Sequence, residues 1–343
     1  MAQQKGDFKG LGGEDLKSAT YYAQETPYPM GDAFLGKLGF KAEPAGKVRV
    51  FAMVDAWTQW LMYPLHKFLF LILRGLDVDG TFDQMAPIKR LQEMFSRDPR
   101  GRMYASIDLS SATDRLPLAL QISLIKELFK DKVPDSDAFA KAWASLLVKR
   151  FYQVKMNPHL LQQTFVPKRY NVHPDFGAFG VTYSVGQPMG ALSSWAMLAL
   201  THHAIVQYAS FKAYKGKRGW FEDYGVLGDD VVIIGAPVVL AYRRILQEIG
   251  VKAGLAKSIV AKSKFVLEFA KKFFVDSGQA NMLPLKECIA TRCSTSLVVE
   301  FVRKYDLTLN AILSFLGYGY KSKMKVYKTN YFKLRTRLRV LLI

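Results

Sequence analysis

The sequence predicts an α+β fold in which antiparallel strands are backed by helices. Three observations lead there. Half of the 343 residues are apolar and 22% are charged, so a sizeable core can form and wholesale disorder is excluded. Two apolar runs, Tyr224-Gly225-Val226-Leu227 and Val231-Val232-Ile233-Ile234, flank Gly228-Asp229-Asp230, the pattern of a β-hairpin with a Gly-containing turn. Stretches of helical periodicity recur between short strand-like segments. At about 150 residues per domain, the length predicts two units or one large one with subdomains.

Residues 1–46 are rich in Gly, Pro and small polar residues and carry little periodicity, so they read as loops. Lys47-Val48-Arg49-Val50-Phe51 alternates as a strand, and Trp57 to Leu73 follows as an apolar helix. Met103 to Leu109 is a second short strand. Leu116 to Leu128 is an amphipathic helix with Pro117 in its first turn. A mixed polar insert occupies residues 130–180, with Pro134, Pro158, Pro167 and Pro174. After a turn at Gly186–Gly190, Ser193 to Phe211 reads as a largely apolar helix. Beyond the hairpin, Val238, Tyr242, Ile245 and Ile249 mark one helix face, which Gly250 ends. After Asp306 there is no acidic residue. Lys321, Lys323, Lys325, Lys328, Lys333, Arg335, Arg337 and Arg339 crowd that end, interleaved with Tyr320, Tyr327, Tyr331 and Phe332. No internal repeat is present.

Lys plus Arg number 48 against 29 acidic residues, a net charge of +19. Such an excess self-repels and answers a polyanion, nucleic acid first and an anionic membrane surface second. Cys288 and Cys293 are the only cysteines, too few for a disulfide framework and without a nearby histidine to complete a zinc site. The chain therefore reads as intracellular or intra-organellar. No run reaches the roughly 20 apolar residues of a membrane span. Trp60 to Leu73 is cut by His66 and Lys67, and Val226 to Tyr242 carries Asp229 and Asp230. Met1 to Asp15 has neither an apolar h-region nor an Arg-rich face, so neither a secretory signal nor an import presequence is expected.

The chemical centre is a set of carboxylates at turns beside strands. Asp108 ends a strand, with Asp114 six residues on, and Asp229 and Asp230 sit together in the apolar hairpin. Adjacent carboxylates between apolar strands are electrostatically costly unless something cationic sits there. Mg²⁺ prefers one or two carboxylates plus substrate phosphates and water. Two such ions, about 3.5–4 Å apart, activate an attacking hydroxyl and hold a leaving pyrophosphate. Each feature also has a plainer reading. Gly-Asp is good turn chemistry, Asp114 is placed to cap the helix ahead of Leu116, and Gly186–Gly190 suits a simple loop. Lys47 and Arg49 fit a solvated strand edge, and His202-His203 fits the core or surface better than a ligand role. The order of these features along the chain is far more specific than any one of them.

Taken in that order, the chain resembles viral RNA-directed RNA polymerases of the right-hand type. The resemblance is closest to the mitovirus group, with narnaviruses and leviviruses more distant. The strings that carry it are Asp108-Leu-Ser-Ser-Ala-Thr-Asp-Arg-Leu-Pro117, Gly186-Gln-Pro-Met-Gly-Ala-Leu-Ser-Ser-Trp-Ala-Met197, His202-His203, Leu227-Gly-Asp-Asp-Val-Val232 and Glu268-Phe-Ala-Lys-Lys272. They fall within about residues 44–275, about two-thirds of the chain. The resemblance implies a palm of antiparallel strands backed by helices, with reduced fingers and a basic thumb. It divides the chain into a loop-rich fingers remnant (1–46), a fingers/palm core with motifs F, A, B, C, D and E (47–275) and a basic thumb-like segment (276–343).

It also implies roles. Asp108 and Asp229 match the ligands of two Mg²⁺ ions (or Mn²⁺ in their place), with Asp230 as a nearby auxiliary. Asp114 matches the carboxylate that reads the ribose 2′-hydroxyl. Gly186 to Gly190 matches a flexible loop at the template and nascent pair, and Ser193 and Ser194 supply hydroxyls beside the sugar. Lys47 and Arg49 match a basic motif that grips the triphosphate. Lys257 is the expected general acid for pyrophosphate, with Lys252 its rival. The implied partners are template RNA, nascent RNA and nucleoside triphosphates, and the implied location is the mitochondrion.

Met189 stands where many such polymerases have Ser, and Leu198 where they have Asn, a departure the mitovirus type shares. Sugar reading then leans harder on Asp114. Family members usually have a substantial part ahead of the basic motif, where 46 residues stand here, so a shortened polymerase is expected. Two alternatives differ in class or substrate. One is a non-catalytic RNA-binding relic in a host or organellar genome, which the intact carboxylate set argues against. The other is a reverse transcriptase, disfavoured by Asp114 and by the Leu-Gly-Asp-Asp turn.

Overall fold

A computed structural model describes residues 36–42, 48–97, 103–155, 178–254, 258–262, 264–276, 278–280, 284–291, 294–305, 307–308 and 311. It divides into two compact units, Met1–Ser277 and Gly278–Ile343. The first begins with strands β1 (Gly36–Ala42) and β2 (Val48–Val54), then helices α1 (Ala56–Arg74) and α2 (Ala86–Arg97). Strand β3 (Met103–Asp108) leads through the one-turn helix α3 (Ala112–Arg115) into α4 (Leu118–Phe129) and α5 (Ser136–Val148). Strands β4 (Tyr152–Lys155) and β5 (Ala178–Val181) precede the long helix α6 (Ser194–Ala213). The hairpin β6 (Tyr224–Leu227) and β7 (Asp230–Ile234) is followed by α7 (Ala236–Glu248), β8 (Ile259–Lys262), β9 (Leu267–Phe269) and β10 (Lys272–Val275). The second unit holds β11 (Gly278–Ala280), α8 (Leu285–Ala290) and α9 (Thr295–Lys304), with Lys304 of α9 paired to Glu287 of α8 at 2.8 Å.

The α+β class and the antiparallel strands agree with expectation. Residues 36–42, read as loop, instead form β1, whose seven residues pair antiparallel with β2, and the insert read at 130–180 holds α5 and β4. Two boundaries also move. Helix α4 starts at Leu118 with Pro117 as its N-cap, because the proline ring disfavours a helical Leu116, which is extended at φ −64° and ψ 122°. Asp230 is the first residue of β7, so the hairpin turn is Gly228-Asp229 alone.

The central sheet runs β6-β7-β3-β8, antiparallel throughout. Side chains alternate across a strand, and here each face has its own core. Ala105 and Ile107 of β3 and Val231 and Ile233 of β7 pack with α6 and α7. Tyr104, Val232 and Ile234 pack instead with Ile88 and Leu91 of α2 and the aromatics Phe265, Phe269 and Phe274. Burial on both faces is why Val231 to Ile234 reads as a continuous apolar run. Helix α6 is buried nearly all round for a related reason. Its Leu198, Ile205 and Val206 join the sheet-side core, while Ala196, Met197 and Ala199 join a core with α1, α4 and α5.

A second sheet runs β2-β1-β4-β5. Where β2 ends, Asp55 caps α1, accepting from the Thr58 backbone N–H at 2.9 Å and from its hydroxyl at 2.6 Å. Arg150 bridges both residues, donating to Asp55 Oδ2 and Thr58 Oγ1 at 2.7 Å each. Burial alone would raise the Asp55 pKa, but the bonds from Thr58 and Arg150 outweigh it and hold the carboxyl down to about 2. Because this folded value lies below the unfolded one, the stabilisation is fully present above about pH 4 and is lost as pH falls through about 2. Asp55→Asn keeps a cap acceptor but loses the charge facing Arg150. Its stability to urea is expected to fall by on the order of 1–2 kcal/mol at pH 7. The gap to wild type should narrow below pH 4; an equal gap at pH 7 and pH 3 would show that the charge contributes nothing.

No helix among the described residues is long and apolar enough to cross a membrane. Residues 1–35, Lys47, residues 156–177, Lys257 and the basic segment Lys321 to Arg339 lie outside the described residues.

Candidate active site

The sheet register gathers the carboxylates. Asp108, the last residue of β3, stands opposite Asp230, the first of β7, and Asp230 also faces Leu227 across the hairpin. Asp229 occupies the turn beside them, next to Gly228 with φ +58°. Burial raises the Asp230 pKa, and the charges of Asp229, Asp108 and Glu268 raise it further, to about 6. Glu268 arrives on β9, whose backbone N–H at that residue donates to the buried Ser106 Oγ of β3 at 2.9 Å. Asp229, Asp108 and Glu268 thus each repel Asp230, an arrangement that a cation relieves. Among the described residues no group of three such side chains is close enough to cage a metal ion by itself. An all-oxygen set with few protein ligands suits Mg²⁺ or Mn²⁺, which fill the rest of their shell with water and phosphate. The residues present fit that group.

Asp114 lies one turn beyond this cluster, in α3. It does not cap α4, whose N-cap is Pro117 without a side-chain bond. The residue is exposed, yet protein crowding around the carboxyl raises its pKa, with Arg115 pulling the other way. The Gly186–Gly190 loop packs directly on this turn, and Gln187 N–H donates to Thr113 O at 3.0 Å. A Cβ at Gly186 would lie 2.2 Å from Thr113 O and 2.5 Å from the Asp114 carbonyl carbon, so only glycine allows the approach.

The loop is tied at its far side too. Ala52 N–H of β2 donates to Met189 O at 2.6 Å. Gln59 of α1 spans the loop end, donating to Gly190 O at 3.2 Å and accepting from Leu192 N–H at 2.8 Å. Ser193 and Ser194 are both buried. Ser193 Oγ accepts from the Trp143 indole N–H at 2.9 Å, and Ser194 Oγ donates to Pro188 O at 2.7 Å. In this structure their hydroxyls shape the loop and are not presented at the surface. Arg49 is exposed on β2, three residues before Ala52. Lys252 is exposed, and its carbonyl accepts from Ser110 N–H at 2.8 Å, which sets it beside the end of β3.

His202 and His203 are fully buried, as the core reading expected, but they are not inert filler. His202 Nδ1 lies 2.7 Å from Gly228 O and Nε2 lies 2.6 Å from the Tyr242 hydroxyl. Burial pushes the His202 pKa down to about 4, so the ring is neutral at physiological pH. His203 joins the Tyr224 hydroxyl at 2.8 Å to Asp79 Oδ2 at 3.0 Å. Sequence reasoning missed Glu268, Gln59 and Asp79. Glu268 stood in one of the strings above, but nothing local in its neighbourhood says that β9 packs beside β3.

Comparison with known proteins adds kinship to this geometry. The profile of a family described as Mitovirus RNA-dependent RNA polymerase matches residues 14–341. Over 238 residues the chain is 38% identical to the RNA-directed RNA polymerase of Cryphonectria parasitica mitovirus 1, covering 69% of this chain and 25% of that protein. Two uncharacterized mitochondrial proteins of Arabidopsis thaliana are also similar. One is 36% identical over 62% of this chain and 74% of its own length, the other 34% over 54% and 78%. The chain thus spans about a quarter of the viral relative and about three-quarters of the plant ones.

Proposed function

Given that the chain belongs to the mitovirus RNA-dependent RNA polymerase family, we propose that it catalyses template-directed attack of an RNA 3′-hydroxyl on a nucleoside triphosphate. The observation that carries this reading is the register that sets Asp108 opposite Asp230, with Asp229 in the adjoining turn. Asp108 and Asp229 would hold two Mg²⁺ ions, or Mn²⁺, with Asp230 as auxiliary. When bound, such ions activate the attacking hydroxyl and neutralise charge on the departing pyrophosphate.

The chain's own groups do the rest. Asp114 accepts a hydrogen bond from the ribose 2′-hydroxyl of the incoming nucleotide, on a turn whose position is set by the Gly186 contact. Ser193 and Ser194 hold the shape of the Gly186–Gly190 loop under that sugar. Arg49, with Lys47, neutralises the triphosphate, and Lys257 or Lys252 protonates the pyrophosphate. Residues 47–275 form the fingers and palm, and residues 276–343 a thumb whose cations grip the RNA backbone without reading bases. Kinship with plant mitochondrial proteins supports a mitochondrial location.

Asp114→Ala is expected to narrow the preference for NTPs over dNTPs by about tenfold, the scale of one lost hydrogen bond to a charged acceptor. Proportional loss of both activities would make Asp114 structural. The reading as a whole is tested by primer extension with purified protein, an RNA template and Mg²⁺. Because the plant relatives match this chain over more of their own length than the viral one does, a non-catalytic RNA-binding protein is the second reading. RNA binding without extension would favour it, and extension with dNTPs alone would favour a reverse transcriptase.

A further inference from the structure

We propose that His202 is a positioning residue that orients the Asp229 carboxylate by gripping the Gly228 carbonyl. The inference rests on the polymerase reading, since it assigns Asp229 to metal. A carbonyl oxygen only accepts hydrogen bonds, so the ring nitrogen 2.7 Å from Gly228 O, Nδ1, carries the proton of the neutral imidazole. Nε2 is then an acceptor, and the Tyr242 hydroxyl at 2.6 Å donates to it. Tyr242 is fully buried on α7, so the bond that fixes this tautomer is shielded from water.

The Gly228 carbonyl belongs to the same planar peptide unit as Asp229 N–H. Holding that oxygen therefore holds the plane attached to the Asp229 Cα. A second side chain works from the same helix face. Trp195 precedes His202 by seven residues, two turns of α6, so both project toward the hairpin. A Cβ on Gly228 would meet the Trp195 ring at 2.4 Å, which places the indole flat against that glycine. The turn is thus packed by Trp195 and hydrogen-bonded by His202, with Tyr242 behind. Partners that orient a metal ligand are worth about 10–100-fold in affinity or activity.

Two near-isosteres separate positioning from filling. In His202→Asn the amide N–H stands close to the place of Nδ1, whereas in His202→Gln it stands near Nε2 and Gly228 O loses its donor. Full-chain variants would be compared by Mn²⁺ binding, read by electron paramagnetic resonance, and by primer extension. His202→Gln is expected to weaken Mn²⁺ binding about tenfold and to lower kcat by about 10–100-fold with KM for NTP changed less than about threefold. His202→Asn should recover most of both. Equal losses in the two variants, tracking their thermal midpoints, would reduce His202 to packing, and wild-type Mn²⁺ affinity in folded His202→Gln would overturn the proposal. Should His202→Gln fail to fold, Tyr242→Phe decides. It removes the donor that fixes the tautomer and is expected to weaken Mn²⁺ binding by about threefold, and unchanged affinity would overturn the proposal. A wild-type chain that neither binds Mn²⁺ nor extends a primer would sink the polymerase reading and this inference together. An active wild type with an indifferent His202→Gln would sink this inference alone.

Discussion

Asp229→Asn is expected to lower nucleotide addition by about 10³-fold or more, equivalent to about 4 kcal/mol in the barrier, while leaving the protein folded. An amide fits the same turn but binds Mg²⁺ poorly. Stability supplies an independent readout. Asp230 has its pKa raised to about 6, in part by the Asp229 charge. A carboxyl whose folded pKa lies above its unfolded one opposes folding once ionised, so the native state loses stability as pH rises from about 4 through 6. Removing the Asp229 charge relieves part of that repulsion. The thermal midpoint of Asp229→Asn at pH 7 should therefore equal or exceed that of wild type, as expected of a site where function is kept against stability. Asp230→Asn should be milder in activity. Wild-type extension by Asp229→Asn would sink the assignment, and a lowered midpoint would show that the turn, rather than the charge, had been damaged.

Gly186→Ala should be nearly as harmful for a different reason. The new Cβ would fall 2.2 Å from Thr113 O and 2.5 Å from the Asp114 carbonyl carbon. These are backbone atoms and cannot swing aside as a flexible side chain would, so either the loop or the Asp114 turn must move. Overpacking of this kind costs about 1–3 kcal/mol. A displacement near 1 Å at a positioning group lowers rate by about 10²-fold. Urea denaturation and primer extension would measure the two effects. Gly219→Ala is the control, because a Cβ there meets nothing within 4 Å. Equal behaviour of the two alanine variants would mean that the loop does not position Asp114.

Much of the candidate site is legible along the chain itself. The Tyr224–Ile234 hairpin, the strand ending at Asp108 and the helices flanking them follow from apolar periodicity and turn chemistry, which act between residues close in sequence. The carboxylate positions were legible too, because charged residues inside apolar runs stand out in any linear reading. The assignment of Asp230 to the turn was wrong for an instructive reason. Gly-Asp-Asp suits a three-residue turn as well as a two-residue one, and only pairing of Asp230 with both Leu227 and Asp108 selects the shorter.

By itself, then, the sequence determined the α+β class, the Tyr224–Ile234 hairpin with the strand at Met103–Asp108 and the helices flanking them, and the residues able to carry charge at the candidate site, since each is a local property of the chain. The tertiary structure decided which of those residues meet. Gly186 reaches Thr113, Gln59 reaches Gly190, Glu268 comes within range of Asp230, and His202 reaches Gly228 across tens of residues or more. Contacts at that separation depend on how strands pair and how α6 is enclosed by two cores. The cost in chain entropy of closing such loops is offset by burial summed over the whole domain, and no short window of sequence contains that sum.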